Sequence, residues 1–162
     1  TSPMRRALQT TQPISKSIHL SPFVHPDVCE TGGLSEGAGL TRQEITNQFE
    51  GYILSSGITE AGWSTPTLQE EGFLGSTVRA MRLWDMLCQR HLSKNETIVM
   101  VSHGDFVGHL LSFLFDTHPL FGEFFNMNNC AITTIHVDNA PKQPHLQEFN
   151  NTKHLLPRLI TF

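Results

Sequence analysis

The stretch Glu96–Phe115, ETIVMVSHGDFVGHLLSFLF, constrains the fold most, because its hydrophobic period changes in mid-run. Thr97 to Val101 is β-branched apart from Met100. A short apolar run without alternation reads as a strand buried on both faces. Val107, Leu110, Leu111 and Leu114 then recur at helical spacing, so the chain passes from strand to helix at Ser102–Asp105. In an open parallel sheet, ligands bind outside the carboxyl ends of the strands. A helix N-terminus at that place offers unpaired N–H groups and a positive dipole end. His103 stands at the junction, and Gly104 lets another group come close to the backbone. The stretch therefore reads as half of an anion site, with the other half supplied from elsewhere in the chain.

The remaining elements follow from caps, breakers and periodicity. Ser2-Pro3 reads as N-cap and first residue of a helix, with Met4, Ala7, Leu8, Thr11 and Ile14 on one face. Pro13 leaves its end open. Ile18 to Val28 holds a short extended segment interrupted by Pro22 and Pro26, and Glu30 to Leu40 is a Gly-rich loop. Thr41-Arg-Gln-Glu44 is a capping box that starts a short helix. Residues 51–68 read as a long loop. A helix from near Gly75 to His91 presents Leu74, Val78, Met81, Trp84, Leu87 and Cys88 as its apolar face. Ala131–Val137 reads as a strand, Pro141 and Pro144 as a turn, and Leu146–Phe149 as an edge strand. Alternating helices and buried strands predict an α/β fold: three layers, α/β/α, around a mainly parallel central sheet, in one domain over residues 1–162.

Composition narrows the function classes. The chain has 162 residues and a formal net charge of −4, which disfavours nucleic acid as a partner. No run of about 18 apolar residues is present, so no membrane span is expected. TSPMRRALQTT lacks the apolar core of a signal peptide. Cys29, Cys88 and Cys130 are odd in number, far apart and outside any C-x-x-C, so they are expected as reduced thiols of a cytoplasmic protein.

Four features could carry chemistry. Arg6 lies in the first turn or so of a helix, where a guanidinium can fork onto phosphate oxygens beside the dipole's positive end. Glu30, before Gly32-Gly33, sits on a loop that could place it as a general acid. His103 with Gly104 is the third. Arg79, with Ser76 earlier on the same helix, is the fourth, and reads more readily as an ion-paired or solvent-facing arginine. His103 and His109 are six apart and so do not form the i, i+4 pair of a helical metal site. Ser102 and His103 are adjacent, and adjacent strand side chains point to opposite faces, so they make no nucleophile–base pair. No G-x-S-x-G is present.

Together these features resemble the histidine phosphatase superfamily, which includes phosphoglycerate mutase-like enzymes. SPMRRALQT is similar to that family's S-P-L-x-R-A-x-Q-T segment, and Glu30-Thr31-Gly32-Gly33 to its acid-bearing E-x-G-G loop. Ser76-x-x-Arg79 fits the family's next helix, IVMVSHG its second-histidine motif, and Asn129-Cys130-Ala131-Ile132-Thr133 its late strand. The five motifs occur in the family's order from residue 1 to about 138. The resemblance implies phosphoryl transfer through a phosphohistidine, with arginines and the second histidine holding the phosphoryl oxygens and a carboxylic acid protonating the leaving oxygen. It implies Arg6 as a clamp, His103 as the second histidine and Glu30 as the proton donor, with Gly104 beside the phosphate and Arg5 a weaker candidate. It implies a small phosphorylated substrate, or phosphate itself, and no metal or other cofactor. A homodimer is compatible with the sequence.

One hallmark is missing. The family's nucleophile lies in an Arg-His-Gly on its first strand, and these 162 residues contain no Arg-His-Gly. The one Arg-His pair, Arg90-His91, is followed by Leu92 at the end of a helix. Two expectations follow: the chain as written lacks the nucleophile and is inactive alone, and the central strand of the sheet is absent from it, leaving neighbouring strands with unpaired edges. The competing readings are a non-catalytic phospho-ligand or protein-interaction module and a hydrolase of another kind using His103. Substrate choice is expected in the loops around 34–40 and 51–72.

Overall fold

The first helix begins later than the Ser2 cap predicts. α1 spans Arg5–Ile18 with Met4 as its N-cap. Ser2 Oγ accepts the Met4 N–H at 3.2 Å and also lies 2.7 Å from His103 Nε2, so it is committed elsewhere. Pro13 does not stop the helix, which ends at His19 in the left-handed region (φ 54°). Ala7, Leu8 and Thr11 face inward, as their spacing predicts. This computed structural model describes residues 1–34, 37–117, 125–138 and 143–162. Part of the Gly-rich loop (35–36) and the turn assigned to Pro141 lie outside them.

β1 (Phe23–Val24) and β2 (Ile53–Leu54) pair in parallel, Phe23 opposite Ile53 and Val24 opposite Leu54. β2 falls within the stretch read as loop, since two residues are too few to show a period. Between them α2 (Arg42–Gln48) carries the expected capping box: Glu44 N–H donates to Thr41 Oγ1 at 3.1 Å and Thr41 N–H to Glu44 Oε2 at 2.7 Å. A single turn, α3 (Pro66–Gln69), follows behind its Thr65 cap. Met4, Leu8, Val24, Cys29, Ile45, Phe49, Ile58 and Trp63 form the core beneath these pieces.

Thr1 continues this ladder. Its amino group donates to Phe23 O at 2.7 Å, and His25 N–H donates to Thr1 O at 3.0 Å, the slanted pattern of a parallel rung. On the other side, Ser2 N–H donates to Val101 O at 3.0 Å. Thr1–Ser2 thus lies between β1 and the end of the 97–101 run. That run corrects the prediction of a strand buried on both faces. It forms no regular strand and is unpaired over most of its length, with Ile98 at 47 % and Val99 at 58 % exposure. A strand is buried only where neighbours cover it, and among the described residues Ser2 alone hydrogen-bonds its backbone.

α4 (Gly72–His91) corrects the sequence reading as well. Its inward face is Ser76, Arg79, Ala80 and Leu83. Leu74, Val78 and Met81, assigned to the core, are exposed. The apolar stripe misleads because a buried, fully bonded arginine occupies the core-facing row. α5 (Gly104–Leu114) begins where the change of period places it. Val28, Ala80, Leu83, Phe106 and Leu110 form a second core between α4 and α5.

β3 (Ile132–Val137) and β4 (Pro144–Asn151) form an antiparallel pair, with Val137 opposite Pro144. The described residues therefore hold one short parallel pair and one antiparallel pair. They do not assemble the single, mainly parallel central sheet expected, because the run that should lie at its middle has few ladder bonds. The mixture of helix and strand is that of an α/β protein. Among the described residues, no helix is long and apolar enough to cross a membrane.

Candidate functional site

Residues far apart in sequence meet at the start of α5. His103 is its N-cap, in extended backbone (φ −134°, ψ 157°). Its ring is buried, between α1 and the chain start. Arg6 Nε donates to His103 Nδ1 at 3.1 Å. An arginine nitrogen only donates, so Nδ1 carries the lone pair and Nε2 carries the proton. Nε2–H therefore donates to Ser2 Oγ at 2.7 Å. Burial, then Arg6 and Arg79, push the His103 pKa down to about 4, so the ring is neutral at pH 7.

Arg6 reaches outward from this anchor. Its side chain is 64 % exposed, and Nη2 lies 3.9 Å from Glu30 Oε2. Glu30 Oε1 accepts N–H bonds from Thr31 at 3.0 Å and from Phe106 at 3.1 Å. The second of these is a free donor of the first turn of α5, so the anion at this helix end is the protein's own carboxylate. Burial pushes the Glu30 pKa up, the two N–H bonds pull it back, Asp105 raises it and Arg6 lowers it; the net shift is upward. Gly104 borders open space: a Cβ built there meets nothing within 4 Å. Arg5 turns away, donating from Nη1 to Gln48 Oε1 at 2.5 Å.

Behind the loop, Arg79 is almost fully buried and uses all five of its donors. Nε and Nη2 reach the two carboxylate oxygens of Glu71. Nη1 donates to Asp27 O and Cys29 O, each at 2.9 Å, and Nη2 to Glu30 O at 3.3 Å. Its guanidinium also lies 4.2 Å from the centre of the Phe106 ring. Glu71 further accepts Ser76 Oγ–H at 2.8 Å and Gly32 N–H at 3.1 Å. Burial pushes the Glu71 pKa up, but these donors outweigh it and hold the carboxyl below its ordinary value. Ser102 Oγ–H completes the tether on Val28 O at 2.8 Å. Glu71 escaped sequence reasoning. Glu71 is the N-cap just ahead of Gly72, eight residues before Arg79, and nothing in its sequence surroundings singles it out.

The geometry also disposes of a serine hydrolase. The serine next to His103 in sequence is bonded to Val28 O, and the serine next to it in space, Ser2, is fully buried and receives the imidazole proton rather than giving one up.

A family model of the histidine phosphatase superfamily (branch 1) matches residues 1–152. The chain belongs to that superfamily. The match takes in Arg6, Glu30 and His103, and membership supports a phosphoryl-transfer domain in general. No curated protein matches the chain.

Proposed function

We propose that this histidine phosphatase superfamily chain carries the phosphate-holding and proton-donating part of a phosphomonoesterase or phosphomutase, acting on a small phosphorylated substrate in the cytoplasm. The observation that carries the reading is the meeting of Arg6, Glu30 and His103 at the start of α5, within hydrogen-bond or ion-pair distance. Arg6 offers its outer nitrogens to phosphoryl oxygens. In the free chain His103 holds Arg6 in place through Nδ1; a phosphate dianion arriving beside the ring offsets the charge of Arg6, so the imidazole can take up a proton at Nδ1, release Arg6 Nε–H, and join it in donating to the phosphoryl oxygens. Glu30, whose pKa burial raises, takes up a proton as the negative charge of the phosphate arrives and donates it to the leaving oxygen as the P–O bond breaks.

The nucleophile is absent from this picture. Both nitrogens of His103 are engaged, and its order after Arg6 matches the second histidine rather than the first. We place the nucleophilic histidine on a strand N-terminal to Thr1. The largely unpaired 97–101 run supports this, since Ile98 and Val99 stand exposed where a further strand would cover them. That histidine would form the P–N bond, which water then cleaves in a phosphatase or a second substrate oxygen cleaves in a mutase.

The test has two parts. The 162-residue chain is expected to bind inorganic phosphate in titration calorimetry, to lose that binding on Arg6→Gln, and to show no turnover of p-nitrophenyl phosphate. A form extended N-terminally by the full segment that holds an apolar strand ending in Arg-His-Gly, with the elements joining it to Thr1, is expected to turn it over and to trap a phosphohistidine. Turnover by the 162-residue chain that vanishes on His103→Ala would overturn the assignment of the nucleophile. Phosphate binding with no turnover in the extended form would favour a non-catalytic phospho-ligand module instead.

A further inference from the structure

A cleft of about 500 Å³ opens beside the exposed side of Arg6. Its walls are mostly apolar: Pro3, Met4, Leu34, Leu40 and Trp63, with Gly39 between them. Arg5, Arg6 and Gln9 supply the polar part of the lining. The volume is in the range of a small-molecule site, and the lining has the usual character of one, an apolar body with few polar groups to fix orientation.

The wall is built, not incidental. Trp63 is 2 % exposed and packs in the core with Met4. The backbone N–H groups of Trp63 and Ser64 both donate to Ala38 O, at 2.8 and 2.9 Å. A Cβ at Gly39 would fall 2.2 Å from Trp63 Nε1, so only glycine lets the loop close down on the indole. Gly62 holds the other side, where a Cβ would stand 2.1 Å from Ala38 O. The loop that follows Glu30 is thereby fixed as one side of the cleft, while α1 forms the other. Arg6 is common to both places: it lines the cleft and bonds His103.

We infer that this cleft is the leaving-group subsite, and that it selects phosphate monoesters whose organic part is apolar, such as aryl or alkyl phosphates, over those of polyhydroxylated or carboxylated small molecules. The inference rests on the phosphate reading above. With its phosphoryl group on Arg6, an ester has its organic part directed along the apolar walls. A sugar or hydroxy acid in that place would leave most of its hydroxyl groups facing Met4, Leu34, Leu40 and the Trp63 ring, with Gln9 at the rim to meet one of them. Arg5 is already engaged with Gln48 and offers a carboxylated substrate less than an unpaired arginine would.

The test is equilibrium binding to the 162-residue chain by titration calorimetry, with inorganic phosphate, benzylphosphonate and 3-phosphoglycerate as probes. Benzylphosphonate is expected to bind at least tenfold more tightly than phosphate, and 3-phosphoglycerate no more tightly than phosphate. Leu40→Asn is expected to remove most of the benzyl advantage while leaving phosphate affinity within twofold, which also reports that the site is folded. Gln9→Leu, on the rim, is expected to enlarge the advantage. Phosphate binding with no benzyl advantage, or with 3-phosphoglycerate the tightest, would overturn the subsite and leave the phosphate site standing. Benzylphosphonate binding that survives Arg6→Gln would uphold an apolar site and overturn its link to phosphate. Binding of none of the three would overturn both.

Discussion

Arg6 and Arg79 are the same side chain in two opposite settings. Arg79 lies behind the loop that carries Glu30, 2 % exposed, with every N–H given to an acceptor of the protein. Arg6 lies in front of that loop, with Nε given to His103 and the rest of its guanidinium turned to solvent beside the cleft. The difference teaches which arginine is structural. A group with no donor left can hold a backbone but cannot take a ligand without losing a bond. A group with donors to spare contributes little to the fold and is free to bind.

The sharpest way to break that comparison is to remove each arginine in turn. Arg79→Met leaves the Glu71 carboxylate buried without its cation and is expected to cost about 3–5 kcal/mol, read as a fall in the urea midpoint. A loss under about 1 kcal/mol would make Arg79 dispensable and the contrast empty. A second test uses pH. The pKa of His103 is near 4 in the folded chain against 6.5 in the unfolded one, so the unfolded state binds more protons between those values. Stability is then unaffected by this group above pH 6.5, falls as pH drops through the window, and is reduced by of order 3 kcal/mol below pH 4. His103→Asn keeps a polar side chain that does not titrate, so the variant should lack this share of the acid loss in urea melts at stepped pH. His25 and His109, shifted the same way by burial, contribute equally to both proteins.

Smaller effects sharpen the picture. Ser76→Ala removes one donor to Glu71 while Arg79 and Gly32 remain, and is expected to cost about 1 kcal/mol in thermal or urea melts. Arg6→Met should cost about 1 kcal/mol, well below Arg79→Met, because it removes a long, water-exposed ion pair with Glu30 and one bond to His103 Nδ1. The same substitution should abolish phosphate binding. Stability that falls as far with Arg6→Met as with Arg79→Met would show that the two arginines do one job.

What the sequence revealed follows from range. The capping box at Thr41, the start of α5 after His103 and the inward face of α1 were legible because each is local, set by spacing within a turn or two. The meeting of Arg6, Glu30 and His103 is not local, and came from motif order rather than from periodicity. The face of α4 was misread because hydrophobic periodicity assumes that charged residues face water. Arg79 breaks that assumption by carrying its own acceptors: Glu71 and three backbone carbonyls. Burial of the 97–101 run was misread for a different reason. Composition tells whether a run suits a covered strand, but cover depends on neighbours that the run does not encode. Glu71 was invisible because nothing in its own surroundings in sequence marks it as a partner of Arg79.

The tether on the Glu30 loop grips oxygens of the main chain at positions 27, 28, 29 and 30. Every amino acid carries that oxygen. The side chains along this segment can therefore be exchanged, so far as local packing permits, without loosening the hold on the acid. Such an arrangement separates where the Glu30 carboxyl stands from the identity of its neighbours, and lets a lineage change those neighbours while the carboxyl stays in place.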